Sequence, residues 1–225
     1  MPNERDELIS GINLLQIYLT PEQIELFLEY AKELREWNKQ INLISRRDIK
    51  NLIPHHFLDS LSALRYLRQW IAEKIFEPKV IDIGSGGGLP GIPLKIACPE
   101  IHLTLLESIT KKAKFLEYIV KHLNLQNVEV INLRAEEFLK NQNYRGQYDF
   151  ALARAVAKLK ELLKWSFPLL RGEGILIAYK TDKIREEIKQ ATAVLKRLNG
   201  LVKEEIKITL PIAESPRILL LIKKR

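Results

Sequence analysis

The stretch that most constrains this chain is Val80-Ile81-Asp82-Ile83-Gly84-Ser85-Gly86-Gly87-Gly88-Leu89-Pro90-Gly91. A short apolar run enters four glycines within five positions, and a proline then opens a helix. Glycine allows sharp, left-handed backbone and removes side chains where a ligand must lie flat against the chain. Five of the ten glycines sit in this one loop, which reads as a cofactor-binding turn between a strand and a helix. No Gly-x-x-x-x-Gly-Lys-Ser/Thr occurs, so a P-loop nucleotidase is excluded.

The surrounding pattern predicts an α/β fold. From Pro78 onward, apolar runs at 79–83, 102–107, 127–132, 148–153 and 174–180 read as strands. Helices are expected near 90–98, 110–123, 157–170 and 183–198. The strand runs are continuously apolar rather than alternating, as expected when helices cover both faces of a parallel sheet. Val202–Leu210 and Arg217–Lys223 are joined by only six residues, too few for a helical crossover, so they are expected to pair antiparallel. Residues 4–77 read as helices. Thr20-Pro21-Glu22-Gln23 carries the signature of a capped helix start, and another helix is expected after Pro54 with Phe57, Leu58, Leu61, Leu64 and Leu67 on one side. The expected organisation is a helical extension over 1–77 packed on a core over 78–225.

The glycine loop also satisfies Gly-x-Gly-x-x-Gly at 86–91, so a nicotinamide enzyme competes for it. Three features favour S-adenosylmethionine. Asp82 places a carboxylate at the strand end, where it repels a pyrophosphate and suits a cationic ligand. The glycines begin earlier, as Gly84-x-Gly86-x-Gly88, which resembles methyltransferase motif I. The antiparallel closing pair completes a seven-stranded, Rossmann-like class I methyltransferase pattern. Glu107 ends the second strand 25 positions after Asp82, where a carboxylate can accept both ribose hydroxyls. Ala135 and Glu136, after the third strand, are placed to meet the adenine.

The methyl acceptor is narrowed by what is missing. The segment after the fourth strand, Ala151-Leu152-Ala153-Arg154-Ala155-Val156, has no polar-Pro-Pro-aromatic motif for an exocyclic amine. The single cysteine, Cys98, reads as buried filler, so a cysteine nucleophile for cytosine carbon is not expected. A ring nitrogen with a free lone pair, such as guanine N7, needs neither device. His102 and His122 are expected to be structural.

At this point the chain resembles a known family, the bacterial small-subunit ribosomal RNA guanine-N7 methyltransferases, also called glucose-inhibited division protein B. The residues that carry the resemblance are Trp37 to Ser45, His56-Phe57-Leu58-Asp59-Ser60-Leu61, Asp82 to Leu94 with its Gly-Leu-Pro-Gly-Ile-Pro continuation, and Arg134-Ala135-Glu136-Glu137. His55 stands where family members usually carry Arg. The resemblance implies methylation at N7 of one guanine of 16S rRNA, at position 527 in the 530 loop. It further implies that Gly84, Leu89, Ala135, Glu136 and Arg154 contact S-adenosylmethionine, Arg154 beside the methyl-transfer point, with no metal. The competing expectation is a methyltransferase acting on a small molecule.

A net charge of +8 favours a polyanionic partner, here 16S rRNA or the small ribosomal subunit. Arg46, Arg47, His56, Lys111, Lys112, Lys158 and Lys180 are the candidate RNA contacts, gripping phosphates and fixing register. No apolar run approaches the roughly 20 residues of a membrane span, and the N-terminus lacks the basic start and apolar core of a signal peptide. With one cysteine and no paired-cysteine cluster, a reducing, cytoplasmic setting is expected; a monomer is the default expectation.

Overall fold

The computed structural model describes residues 3–225 except 47, 75, 76, 183 and 211–216; the side chain of Lys74 is also outside the description. The helical part opens with α1 (Glu4–Leu14) and α2 (Pro21–Asn38). Thr20 caps α2 as the sequence predicts: its hydroxyl accepts from Gln23 N, and the Gln23 side chain accepts from Thr20 N. The single helix expected after Pro54 is instead three pieces: a π-helical turn over Ile53–Phe57, α3 (Leu58–Leu61) and α4 (Leu64–Lys74). Pro54 lacks an amide to donate. Downstream, the Ser60 and Ser62 hydroxyls take the carbonyls of His56 and Asp59 at 2.6 and 2.5 Å, hydrogen bonding that bends helices.

The remainder alternates β1 (Lys79–Ile83), α5 (Gly91–Ala97), β2 (His102–Leu106), α6 (Thr110–His122), β3 (Val128–Ile131), α7 (Ala135–Phe138), β4 (Tyr148–Arg154), α8 (Leu159–Leu169), β5 (Leu170–Lys180), α9 (Ile184–Arg197), β6 (Gly200–Ile208) and β7 (Arg217–Lys224). They form one seven-stranded sheet in the order β3-β2-β1-β4-β5-β7-β6. The first five strands are parallel, and β7 runs antiparallel to both β5 and β6. This is the expected class I architecture. Strand β5 starts four residues earlier than its apolar run, because it continues through Gly172-Glu173-Gly174 across a register shift opposite β4.

Alternate strand residues sort into two cores. Val80, Leu103, Leu105, Phe150 and Leu152 face one side with α5, α6 and the N-terminal helices. Ile81, Ile83, Leu106, Ala151 and Ala153 face the other with α8 and α9. The N-terminal helices share the first core. Gln23 Nε2 donates to Ile96 O at 2.8 Å, and Tyr30 stacks on Phe57 with centroids 5.2 Å apart. His102 and His122 sit on the surface paired with Glu77 and Glu29, and Cys98 is buried. Among the described residues no helix is long and apolar enough to cross a membrane.

Candidate functional site

Between β1 and β4 the strand order reverses, which opens a crevice at the carboxyl ends of the strands. The glycine loop fills its floor. Gly84 N and Ser85 N both donate to Leu106 O, at 2.8 and 3.1 Å, so the loop begins by hooking over β2. Gly84 has φ +71° and Gly86 φ +58°, conformations that side chains disfavour. A Cβ on Gly84 would lie 2.8 Å from a Val156 methyl. Tyr30 reaches over from α2 and donates to Gly87 O at 2.5 Å, so the helical part helps hold the loop.

Glu107 sits at the end of β2 and is nearly buried, with Oε2 accepting from Gly86 N and Oε1 from Ile109 N, both at 2.8 Å. Each oxygen keeps a second lone pair for a ribose hydroxyl. Next to Glu107, Ala135 and Glu136 line a cleft with Ile83, Gly84, Leu106, Leu133 and Val156; its volume is about 180 Å³. Its apolar floor and the absent Gly84 side chain suit a flat purine, and the carboxylate beside them suits a ribose. The residues therefore fit S-adenosylmethionine.

Three expected cofactor contacts have other positions. Asp82 is fully buried below the loop, its Oδ2 accepting from Gly91 N at 3.0 Å, so it fastens the start of α5 rather than facing the cleft. Leu89 is likewise buried in the first core, as is Gly88, whose would-be Cβ meets Ile92.

Arg154, at the end of β4, is the hub of a second and larger cleft of about 540 Å³ that shares Val156 with the first. Its guanidinium donates to Asp59 Oδ2 at 3.1 Å and to His56 Nδ1 at 2.9 Å. Asp59 is buried, and Arg217 from β7 lies 3.8 Å from its other oxygen. Asp59 and Arg217 stood in the sequence without a marker of function beyond the His-x-x-Asp-Ser spacing. Tyr179 closes the back, donating to Ser60 O at 2.7 Å.

The polyanion candidates divide. Lys180 donates to Ala157 O at 3.0 Å and to Glu187 Oε2 at 2.7 Å, and Glu187 also accepts from Leu159 N. It anchors the 155–158 loop and is not free to grip phosphate, contrary to expectation. His56 is also no cationic contact, since burial and then the Arg154 charge bring it down to about 3 and leave it neutral near pH 7. Arg46, Lys111 and Lys158 are exposed and Lys112 is half-buried. Arg47 lies outside the described residues.

Asp82 and His56 oppose one another in pH dependence. Burial pushes Asp82 up to about 7 from an ordinary 3.8. The folded state then holds that proton more tightly, so this stabilisation is complete below about pH 4 and is lost as pH rises toward 7. His56 has the reverse sign: its folded-state value lies below the ordinary 6.5, so its contribution grows as pH rises from about 3 to 6.5. Each is on the order of 4 kcal/mol at most. The advantage of wild type over Asp82→Asn in urea unfolding should therefore shrink steadily from pH 4 to 7. A constant difference would refute the buried, protonated Asp82.

The family model described as rRNA small subunit methyltransferase G matches residues 23–210. The chain is 39% identical to ribosomal RNA small subunit methyltransferase G of Alkaliphilus oremlandii over 98% of this chain and 90% of that one. It is 43% identical to the protein of the same name from Roseiflexus castenholzii, over 88% and 82% of the two chains. Among solved structures, an O-methyltransferase from Bacillus cereus in complex with SAH superposes with a TM-score of 0.60 at 16% identity, covering 88% of this chain and 91% of that one. A precorrin-6y C5,15-methyltransferase from Geobacter metallireducens gives 0.55 at 16% identity, covering 82% and 91%. These two likenesses concern the fold.

Proposed function

On the premise that this chain belongs to the rRNA small subunit methyltransferase G family, we propose that it methylates N7 of one guanine of 16S rRNA, position 527 in the 530 loop. It is an S-adenosylmethionine-dependent rRNA methyltransferase, an enzyme. The observation that carries the finer reading is the junction of two clefts at Val156, one floored by the glycine loop and the other built on Arg154.

When bound, S-adenosylmethionine supplies an electrophilic methyl group on a sulfonium. Guanine N7 has a lone pair and no proton to lose, so the protein needs no general base. None of the groups around Arg154 is required to accept a proton. Their work is to hold the base in line and exclude water, an orienting effect worth up to about 7–11 kcal/mol of barrier. Gly84, Gly86, Glu107, Ala135 and Glu136 would hold the cofactor on one side of Val156. Arg154, Asp59 and His56 would hold the base on the other.

The charge balance of the acceptor cleft supports this division. Its four cations, Arg154, Lys158, Lys180 and Arg217, are largely offset by three carboxylates, Asp48, Asp59 and Glu187, and His56 is neutral. Such a cleft adds little repulsion to the cationic cofactor or to the cation that guanine becomes on N7 methylation. Attraction for phosphate then falls to exposed cations such as Arg46 and Lys111 outside it and Lys158 at its edge, where contacts fix register. A loop guanine is the cheaper base to expose, having little stacking to lose.

The test is transfer of tritiated methyl groups to small ribosomal subunits from a strain lacking the gene, with the labelled base mapped. Label at a single guanine N7 is expected. Label on another atom or only on small molecules would overturn the assignment. Raising salt from 50 to 200 mM should lower kcat/KM at least about tenfold through lost phosphate contacts; an unchanged rate would exclude the basic surface from recognition.

A further inference from the structure

Among the described residues, three buried side-chain polar atoms without a hydrogen-bond partner gather about Arg154: His56 Nε2, Asp59 Oδ1 and Arg217 Nε. Buried polar groups are nearly always paired, so such a concentration in one cleft marks a place where a polar ligand completes the bonding. The chemistry of one of them is fixed by its neighbour. A guanidinium has no acceptor, so Arg154 Nη2, 2.9 Å from His56 Nδ1, must donate there. Nδ1 is then the lone-pair nitrogen, and in the neutral ring the hydrogen resides on Nε2. Arg154 thereby holds His56 as a donor whose own partner is missing.

We propose that His56 is the residue that selects guanine in the acceptor cleft, its Nε2–H donating to O6 of the base while N7 receives the methyl group. This rests on the reading of the acceptor as guanine N7. On that edge of guanine, O6 is the acceptor adjacent to N7. Adenine presents an amino group at the same place, and a donor facing a donor leaves both unpaired. The same histidine therefore accepts guanine and rejects adenine, without contributing charge. Arg154 is a positioning residue in this respect, because it sets which nitrogen of His56 carries the hydrogen.

The test pairs a change in the residue with a substrate analogue that lacks O6 and, with it, the N1 hydrogen. Small subunits are reconstituted with 16S rRNA carrying either guanine or 2-aminopurine at the target position. The analogue keeps N7 and the 2-amino group and has only hydrogen at C6. Each is methylated by wild type and by His56→Asn, whose side-chain oxygen can still accept from Arg154 while the ring Nε2–H is gone and the amide N–H group falls at the Cδ2 position, short of where Nε2 stood. Wild type should lose about tenfold or more in kcat/KM on the analogue. His56→Asn should lose a similar factor on guanine and no more on the analogue, with unchanged S-adenosylmethionine affinity by calorimetry. Any general effect of the analogue on N7 reactivity divides out of this cycle. Equal wild-type rates on the two substrates would overturn the proposal whether or not the variant folds, as would a variant that discriminates as strongly as wild type. If wild type fails to methylate even the guanine particles, the guanine reading itself falls, and the part given to His56 falls with it.

Discussion

Arg154→Met is expected to abolish methyl transfer and to cost about 3–5 kcal/mol of stability, the penalty for leaving a buried carboxylate without its partner. The side chain is 13% exposed and Asp59 only 4%. Two consequences follow from the same deletion. Asp59 Oδ2 loses its donor at 3.1 Å, and Arg217 at 3.8 Å from Oδ1 is too distant to replace a hydrogen bond. His56 Nδ1 loses its donor at 2.9 Å, so the ring is free to take the other tautomer. Methionine keeps most of the apolar stem and isolates the loss of the charge and the donors. Thermal melts and methyl transfer with saturating cofactor are the two readouts. A companion change, Arg154→Met with Asp59→Asn, should recover part of the stability, because no unpaired buried carboxylate remains and the cation left over, Arg217, is 32% exposed, and none of the activity. A single variant that is both stable and active would remove Arg154 from the centre of the site.

The second large effect is Gly84→Ala, which should weaken S-adenosylmethionine binding at least about 100-fold, as a cofactor displaced from its floor loses several contacts at once. Gly84 has φ +71°, which costs an L-residue about 1–2 kcal/mol. The added methyl would also lie 2.8 and 2.9 Å from the two Val156 methyl carbons. Those two costs fall on the fold, and a third falls on the cofactor, whose place beside Gly84 the methyl would enter. They can be separated. Adding Val156→Ala to the variant removes the clash and should recover stability, with the cofactor affinity still lost. Calorimetry giving wild-type affinity for Gly84→Ala would mean that the cofactor does not lie against the loop.

The architecture was legible in the chain because its signals are local. Apolar runs of four to seven residues, separated by helical periodicity, fix which segments become strands, and the six-residue gap before Arg217 forces an antiparallel pair. The glycine loop was legible for the same reason: left-handed backbone at 84, 86 and 88 demands glycine at those positions whatever surrounds them. The helix after Pro54 was misread where two serine hydroxyls divert carbonyls, a competition that apolar periodicity does not register. Lys180 was misread because a lysine that anchors a loop and one that grips phosphate are the same letter, and Glu187 shows itself as the partner only after α9 has packed beside β5.

The sequence by itself determined the sheet, the glycine loop, the place of Glu107 at the end of β2 and the family, since each depends on residues close together along the chain. Only the tertiary structure decided that Asp59, Arg154 and Arg217, 95 and 63 positions apart in succession, share one ion network, and that Asp82 turns inward to fasten α5. It also decided that His56 is neutral and offers a donor. Protonation and tautomer follow from burial and from which groups converge on a side chain, and no spacing along a polymer specifies that convergence before the chain has folded.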